Sequence, residues 1–311
     1  MAASAPCSNP QVSPIHCGCA RGASLHSRKN DYFQRCPRLS HYLTEPIVQF
    51  EALLLDIADG VATITLNRPE RLNALSPAMR LEIHDAVTHC DGNGDVRVMV
   101  FTGAGRGFCS GGDVKTMNEA NAAGASSALQ DKLAPARDRA VLALRNSPKP
   151  IIAAVNGPAA GAGMNVALAC DIRIASTQAK FAQSFVRRGL HPDWGGTYFL
   201  PRVVGMAKAC ELIFTGKIIT AQEALALGII SQLVEPDALM DTVRELAGAI
   251  AAGPPVAIRL AKRALYRNVD SSLREALEFE TYAQNICRET EDAKEGIQAF
   301  VEKRAPDFKG R

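Results

Sequence analysis

No stretch of the 311-residue chain holds the roughly 18 consecutive apolar residues that a membrane-spanning helix needs. A membrane-embedded body is therefore not expected. Charge of one sign is scarce as well. The net charge is +3, and residues 1–46 carry that excess, with Arg21, Arg28, Lys29, Arg35 and Arg38 set against Asp31 and Glu45. The rest of the chain balances 30 basic against 30 acidic side chains, so no nucleic-acid surface is expected. A disulfide framework is missing too. The nine cysteines are an odd number at irregular spacings, and no secretory signal precedes them. That usage points to reduced thiols in a cytoplasmic setting. Cys17-Gly-Cys19 with His16 and His26 fits no zinc-ligand spacing, so no metal is expected there. What the chain does have is apolar mass, 47% of residues, which excludes global disorder and implies a substantial core.

Residues 1–46 are rich in Ser, Pro, Cys and Arg without a hydrophobic period, and read as a disordered or leader segment; an organelle import role fits that composition. From Ile47 the text changes. Residues 51–56 and 61–66 read as strands joined by an Asp59-Gly60 hairpin turn. Ser76-Pro77 opens a helix, with Ser as N-cap and Pro at the first helical position. The apolar runs 96–102 and 151–155 suit strands buried on both faces. Each leads into a glycine-rich turn (103–112 and 156–163) and then a helix, which is α/β grammar. After about residue 222 the pattern is helical almost throughout. The division is thus an α/β core over 47–220 and a helical region over 221–311, with no linker between them.

Glycines after a buried strand can serve tight packing alone. Two such turns, Cys109-Ser-Gly-Gly-Asp113 and Gly161-Ala-Gly163, each at a helix start, instead suggest paired backbone N–H donors converging on one oxygen. Neither turn is a Walker A loop, and Gly161-Ala-Gly163 lacks the dinucleotide spacing.

Leu66-Asn-Arg-Pro69, Asn73-Ala-Leu75, Phe108-Cys-Ser-Gly-Gly-Asp113, Ile152-Ala-Ala-Val-Asn-Gly157 and Asp171-Ile-Arg-Ile-Ala-Ser176 together resemble the enoyl-CoA hydratase/isomerase (crotonase) superfamily. So do Leu200-Pro-Arg-Val-Val-Gly205, Glu223-Ala-Leu-Ala-Leu-Gly-Ile-Ile230 and the closing 295–304 segment. The resemblance implies an α/β fold, a crotonase-like β/α spiral core with a helical C-terminal region that closes the pocket and mediates assembly into a trimer or a dimer of trimers. It implies an acyl group carried as a coenzyme A thioester, with no permanently bound cofactor. The Gly112 and Ala162 N–H groups would polarise the thioester carbonyl and stabilise an enolate. Gly112, Asp113, Val114 and Lys115 would line the CoA pocket, Asn73 and Ala74 would lie near its adenine end, and Arg68 and Lys115 near phosphate or ribose.

Hydratases of this kind work with two glutamates, and here the corresponding positions hold Asn165 and Phe185. Neither side chain takes up a proton at neutral pH. One carboxylate remains, in Pro192-Asp-Trp-Gly-Gly196. An aspartate before a helix is ordinarily an N-cap. The same context, however, resembles dienoyl-CoA isomerases and ring 1,2-epoxyphenylacetyl-CoA isomerases, which makes Asp193 the leading base. A lone carboxylate suits isomerisation, because it moves a proton between carbons without holding water, and Phe185 and Trp194 would dry the pocket. His191 is a second candidate, as a proton donor that would reopen hydration. His84, His89 and Cys109 are assigned no catalytic role. The expectation is an acyl-CoA isomerase; the alternatives are an enoyl-CoA hydratase with an atypical acid set and a non-catalytic acyl-CoA-binding homologue.

Overall fold

The computed structural model describes residues 49–311, without the side chains of residues 126–132. The expected leader segment 1–46 and the Cys17-Gly-Cys19 stretch lie outside the described residues. Strands β1 (Leu53–Ala58) and β2 (Val61–Leu66) form an antiparallel hairpin in which Leu53 faces Leu66 and Ala58 faces Val61. Asp59 and Gly60 both take positive φ, 51° and 79°, the twist a two-residue hairpin turn requires. Helix α1 (Pro77–Gly92) is capped by the Ser76 side chain, which accepts from Met79 N at 3.1 Å. Strand β3 (Val98–Gly103) is buried at every position, and so is β4 (Ile151–Val155); helices α2 (Val114–Ala122) and α3 (Ser126–Asn146) lie between them.

The next strand leaves the main sheet. After β4 the chain forms β5 (Ala159–Ala160), helix α4 (Ala162–Ala169), β6 (Ile172–Ser176) and β7 (Lys180–Ala182). Helices α5 (Gly196–Val204) and α6 (Met206–Thr215) precede β8 (Ile218–Thr220), and β5, β7 and β8 pair as a small second sheet. Helix α7 (Ala221–Ala226) follows, then β9 (Gln232–Val234) and helices α8 (Leu239–Ala251), α9 (Pro255–Asn268), α10 (Leu273–Glu289) and α11 (Glu291–Glu302). The main sheet runs β1-β2-β3-β4-β6-β9 and is parallel beyond the first pair. No helix among the described residues is long and apolar enough to cross a membrane.

Both faces of this sheet are covered, as its continuous apolar runs demand. On one face Leu239, Val243 and Ala247 of α8 pack on Val98, Val100, Ile152, Ala154 and Ile174. On the other, a larger core joins β2, β3 and β4 to α1, α3 and α4. A polar strut fastens the C-terminal helices to this body. Lys262 of α9 pairs with Asp171 at 2.7 Å and donates to Lys149 O at 2.8 Å, while Tyr266 donates to the other Asp171 oxygen. Asp171 in turn accepts from Ile151 N at 2.7 Å, at the start of β4.

One short strand interrupts the helical stretch beyond residue 222: β9, which pairs with β6 and completes the sheet. With α8 covering the sheet as well, the boundary at residue 220 falls inside one compact unit that spans 49–311.

Candidate active site

Two side-chain amides build the first glycine turn. Asn73 accepts from Arg68 N through Oδ1 (2.9 Å) and donates through Nδ2 to Ala104 O (2.9 Å) and Gly107 O (2.8 Å). Asn156, at the end of β4, donates to Gly103 O and Gly105 O, each at 2.9 Å. The second turn then lies alongside the first, with Cys109 N donating to Pro158 O (3.1 Å) and Ala160 N to Cys109 O (3.0 Å). Gly163 sits directly on the Cys109 carbonyl, where any Cβ would collide. A Cβ on Gly111 would stand 2.6 Å from Ala160 O and 3.4 Å from Ala162 N, so the two turns touch at this point. Ala162 is the first residue of α4, and the preceding Gly161 (φ 53°) lends its own N–H to Ala182 O. Neither Gly112 N nor Ala162 N meets a backbone acceptor among the described residues. Both residues line one cavity of about 370 Å³.

Asp193 and His191 line the same cavity, together with Phe185 and the buried Trp194. The Asp193 side chain does not cap α5; that cap is Gly195, without any side-chain hydrogen bond. Trp194 and Gly195 instead take consecutive positive φ values, 53° and 75°, which turn the chain after Asp193. The Asp193 backbone is braced from below, because Asn165 Nδ2 donates to its carbonyl at 2.7 Å and Gln183 Nε2 donates to Asn165 Oδ1 at 2.7 Å. Asn165 and Gln183 are both fully buried. Asn165 is thus a strut for the Asp193 loop.

The carboxylate Oδ2 of Asp193 is 3.6 Å from Nη1 of Arg137, and Oδ1 is buried without a hydrogen-bond partner. Burial pushes the Asp193 pKa above the ordinary value, and the nearby Arg137 and Arg80 guanidiniums only partly offset that. Cys109, beside the first turn, is completely buried and its thiol is pushed up to about 12, so it holds no thiolate for nucleophilic chemistry.

The other expected binding residues divide. Gly112 and Val114 line the cavity; Arg68, Asn73, Ala74, Asp113 and Lys115 do not. Arg68 pairs with Asp113 at 2.9 Å and donates to Ala74 O at 2.7 Å. Asp113 also N-caps α2. Burial alone would raise its pKa, but Arg68 and the helix amides outweigh it and hold the carboxyl below its usual range. Both side-chain N–H donors of Asn73 are already used. Lys115 is exposed, with Glu119 4.0 Å away.

Sequence reasoning missed three residues here: Arg80, Arg137 and the Gln183 brace. Arg80 left a trace, as a charged residue among Met79, Ile83 and Val87 on the buried face of α1. Arg137 and Gln183 carry no local mark, since tertiary packing alone brings them to Asp193.

The layout defines a class: an α/β fold in which two glycine turns, with N–H groups that no backbone acceptor takes, line a cavity with one braced carboxylate among its described residues. The sequence profile described as enoyl-CoA hydratase/isomerase matches residues 56–311. The short-chain-enoyl-CoA hydratase of Clostridium acetobutylicum is 39% identical over 266 residues, 85% of this chain and 100% of the relative. The 1,2-epoxyphenylacetyl-CoA isomerase of Escherichia coli strain K12 is 38% identical over 261 residues, 84% of this chain and 99% of that one. The crystal structure of an enoyl-CoA hydratase from Bacillus anthracis superposes with a TM-score of 0.78 at 35% identity, covering 84% of this chain and all (100%) of that one. The chain belongs to the enoyl-CoA hydratase/isomerase family and has the crotonase fold.

Proposed function

We propose that the protein is an acyl-CoA isomerase, acting on an enoyl-CoA or a ring-epoxide acyl-CoA. The observation that carries this reading is that Asp193 is the one carboxylate among the described residues lining the cavity. Gly112 N–H and Ala162 N–H receive the thioester oxygen, which acidifies the α-carbon and stabilises the enolate. Asp193 takes the proton from one carbon and returns it to another. Its raised pKa suits that exchange, because burial makes the carboxylate a stronger base. Phe185 and Trp194 keep the acyl group dry, and His191 stands at the cavity wall as an auxiliary proton donor. Val114 and Lys115 face the CoA moiety, on a turn that Arg68, Asn73, Ala74 and Asp113 hold in shape. The thioester is the substrate, and no permanently bound cofactor takes part. A cytoplasmic setting agrees with the five unpaired cysteines among the described residues, and a homotrimer with the apolar C-terminal helix faces.

Incubation with crotonyl-CoA, a 3-enoyl-CoA and ring-epoxide phenylacetyl-CoA, followed by product mass, tests the reading. An isomer of unchanged mass from either of the last two is expected. Addition of one water to crotonyl-CoA as the main reaction would replace the proposal with hydration through His191. Tight binding of all three without turnover would replace it with a binding role.

A further inference from the structure

The cavity that holds Asp193 carries more positive charge than its carboxylate can neutralise. Among the described residues, Arg80, Arg137 and Arg188 line it, with Asp193 as the one carboxylate. Arg188 is exposed and turned toward Ser184, whose hydroxyl lies at 3.3 Å. Arg137 shares its guanidinium between Asp138, at 2.8 Å, and Asp193, at 3.6 Å. Arg80 is different. It comes from the buried face of α1, is only 6% exposed, and its Nε meets no hydrogen-bond partner.

A guanidinium buried in this way is costly, since each unmet N–H loses water without gaining an acceptor. Burial pulls the Arg80 pKa down, and the neighbouring Arg137 pushes the same way, so Asp193 alone works to keep it charged. The apolar neighbours Met79 and Ile83 show that a leucine or methionine at position 80 would suit the core. The charge therefore answers to something that enters the cavity.

We propose that Arg80, with Arg137, forms an anion subsite in the acyl cavity, and that the substrate is an acyl-CoA bearing a second carboxylate on its acyl chain. This rests on the acyl-CoA reading of the cavity and deepens it by naming the substrate class. The planar guanidinium, at the cavity wall, offers its terminal N–H groups to the carboxylate in a water-poor setting, where charge-assisted hydrogen bonds are strongest. A plain alkyl chain would leave Arg80 unpaired, so the subsite selects for acidic acyl groups by penalising neutral ones.

Isothermal titration of the full-length protein with glutaryl-CoA and with its neutral terminal amide tests the subsite. Both are saturated thioesters, so affinity is read without turnover. The wild-type protein is expected to bind the acid at least tenfold more tightly than the amide. In Arg80→Met that ratio is expected to fall to about one. Arg80→Gln, a smaller change, carries the same expectation should the Met variant fail to fold. Equal affinities in the wild type overturn the proposal, and so does a preference that survives loss of Arg80. A failed isomerase assignment would leave the preference intact, whereas a failed preference leaves the Asp193 rate test standing.

Discussion

The proposed chemistry rests on Asp193, the one carboxylate among the described residues lining the cavity. Asp193→Asn keeps the size and the Asn165 brace on the backbone while removing the base. Turnover is expected to fall about 10²- to 10⁴-fold with little change in KM, and steady-state kinetics on the responsive substrate measures it. An Asn variant of full activity would remove Asp193 from the mechanism. The pH profile is a second test, and its sign follows from burial. A base must be ionised to act, so activity is lost as pH falls through the Asp193 pKa. Since burial raises that pKa, the acid limb of kcat/KM is expected above the ordinary aspartate range of about 4. Arg137 opposes the rise, so Arg137→Gln is expected to move the limb further toward neutral pH. A limb that stays in place would show that Arg137 does not act on this carboxylate. The same shift has a stability counterpart: a raised folded-state pKa favours the fold below the unfolded value and loses that contribution as pH rises through the folded one.

At the scale of elements, local chemistry made much of the fold legible and tertiary pairing hid the rest. Asp59-Gly60, Ser76-Pro77 and the apolar runs of β3 and β4 each announce their structure within a few residues, and each is found where expected. Strand β9 was not legible, because three residues between helices have no period to read and gain their identity only by pairing with β6. The site divides in the same way. The glycine turns and Asp193 stand out in the sequence, whereas Arg80, Arg137 and Gln183 reach Asp193 from α1, α3 and the end of β7. Asp171 shows how a motif residue can also serve as structure, since it joins the start of β4 to α9 through Lys262 and Tyr266. Lys262 is almost fully buried, so Lys262→Met leaves the half-buried Asp171 carboxylate short of its cation. A loss of about 3 kcal/mol in unfolding free energy is expected by denaturant titration. Adding Asp171→Asn is expected to cost less than the sum of the two single changes. Strict additivity would mean that the pair does not act as one unit.

For the whole molecule, the described chain leaves its C-terminal helices with apolar side chains facing outward. Ile297, Phe300 and Val301 on α11 are 70%, 85% and 71% exposed, and Leu265, Val269 and Leu273 lie open on α9 and at the start of α10. Apolar residues gathered on consecutive helices in this way mark an interaction surface, and so much of it is costly in water. A second copy of the chain is the occupant that the trimer reading supplies. Multi-angle light scattering is expected to give three or six times the chain mass. Phe300→Asp, placing a charge in the most exposed of these positions, is expected to shift the population toward smaller species without unfolding α11, whose N-cap at Thr290 is untouched. Helicity by circular dichroism separates that outcome from local unfolding. A wild-type protein that runs as a monomer at micromolar concentration would overturn the trimer, and the exposed helices would then require a different protein to cover them.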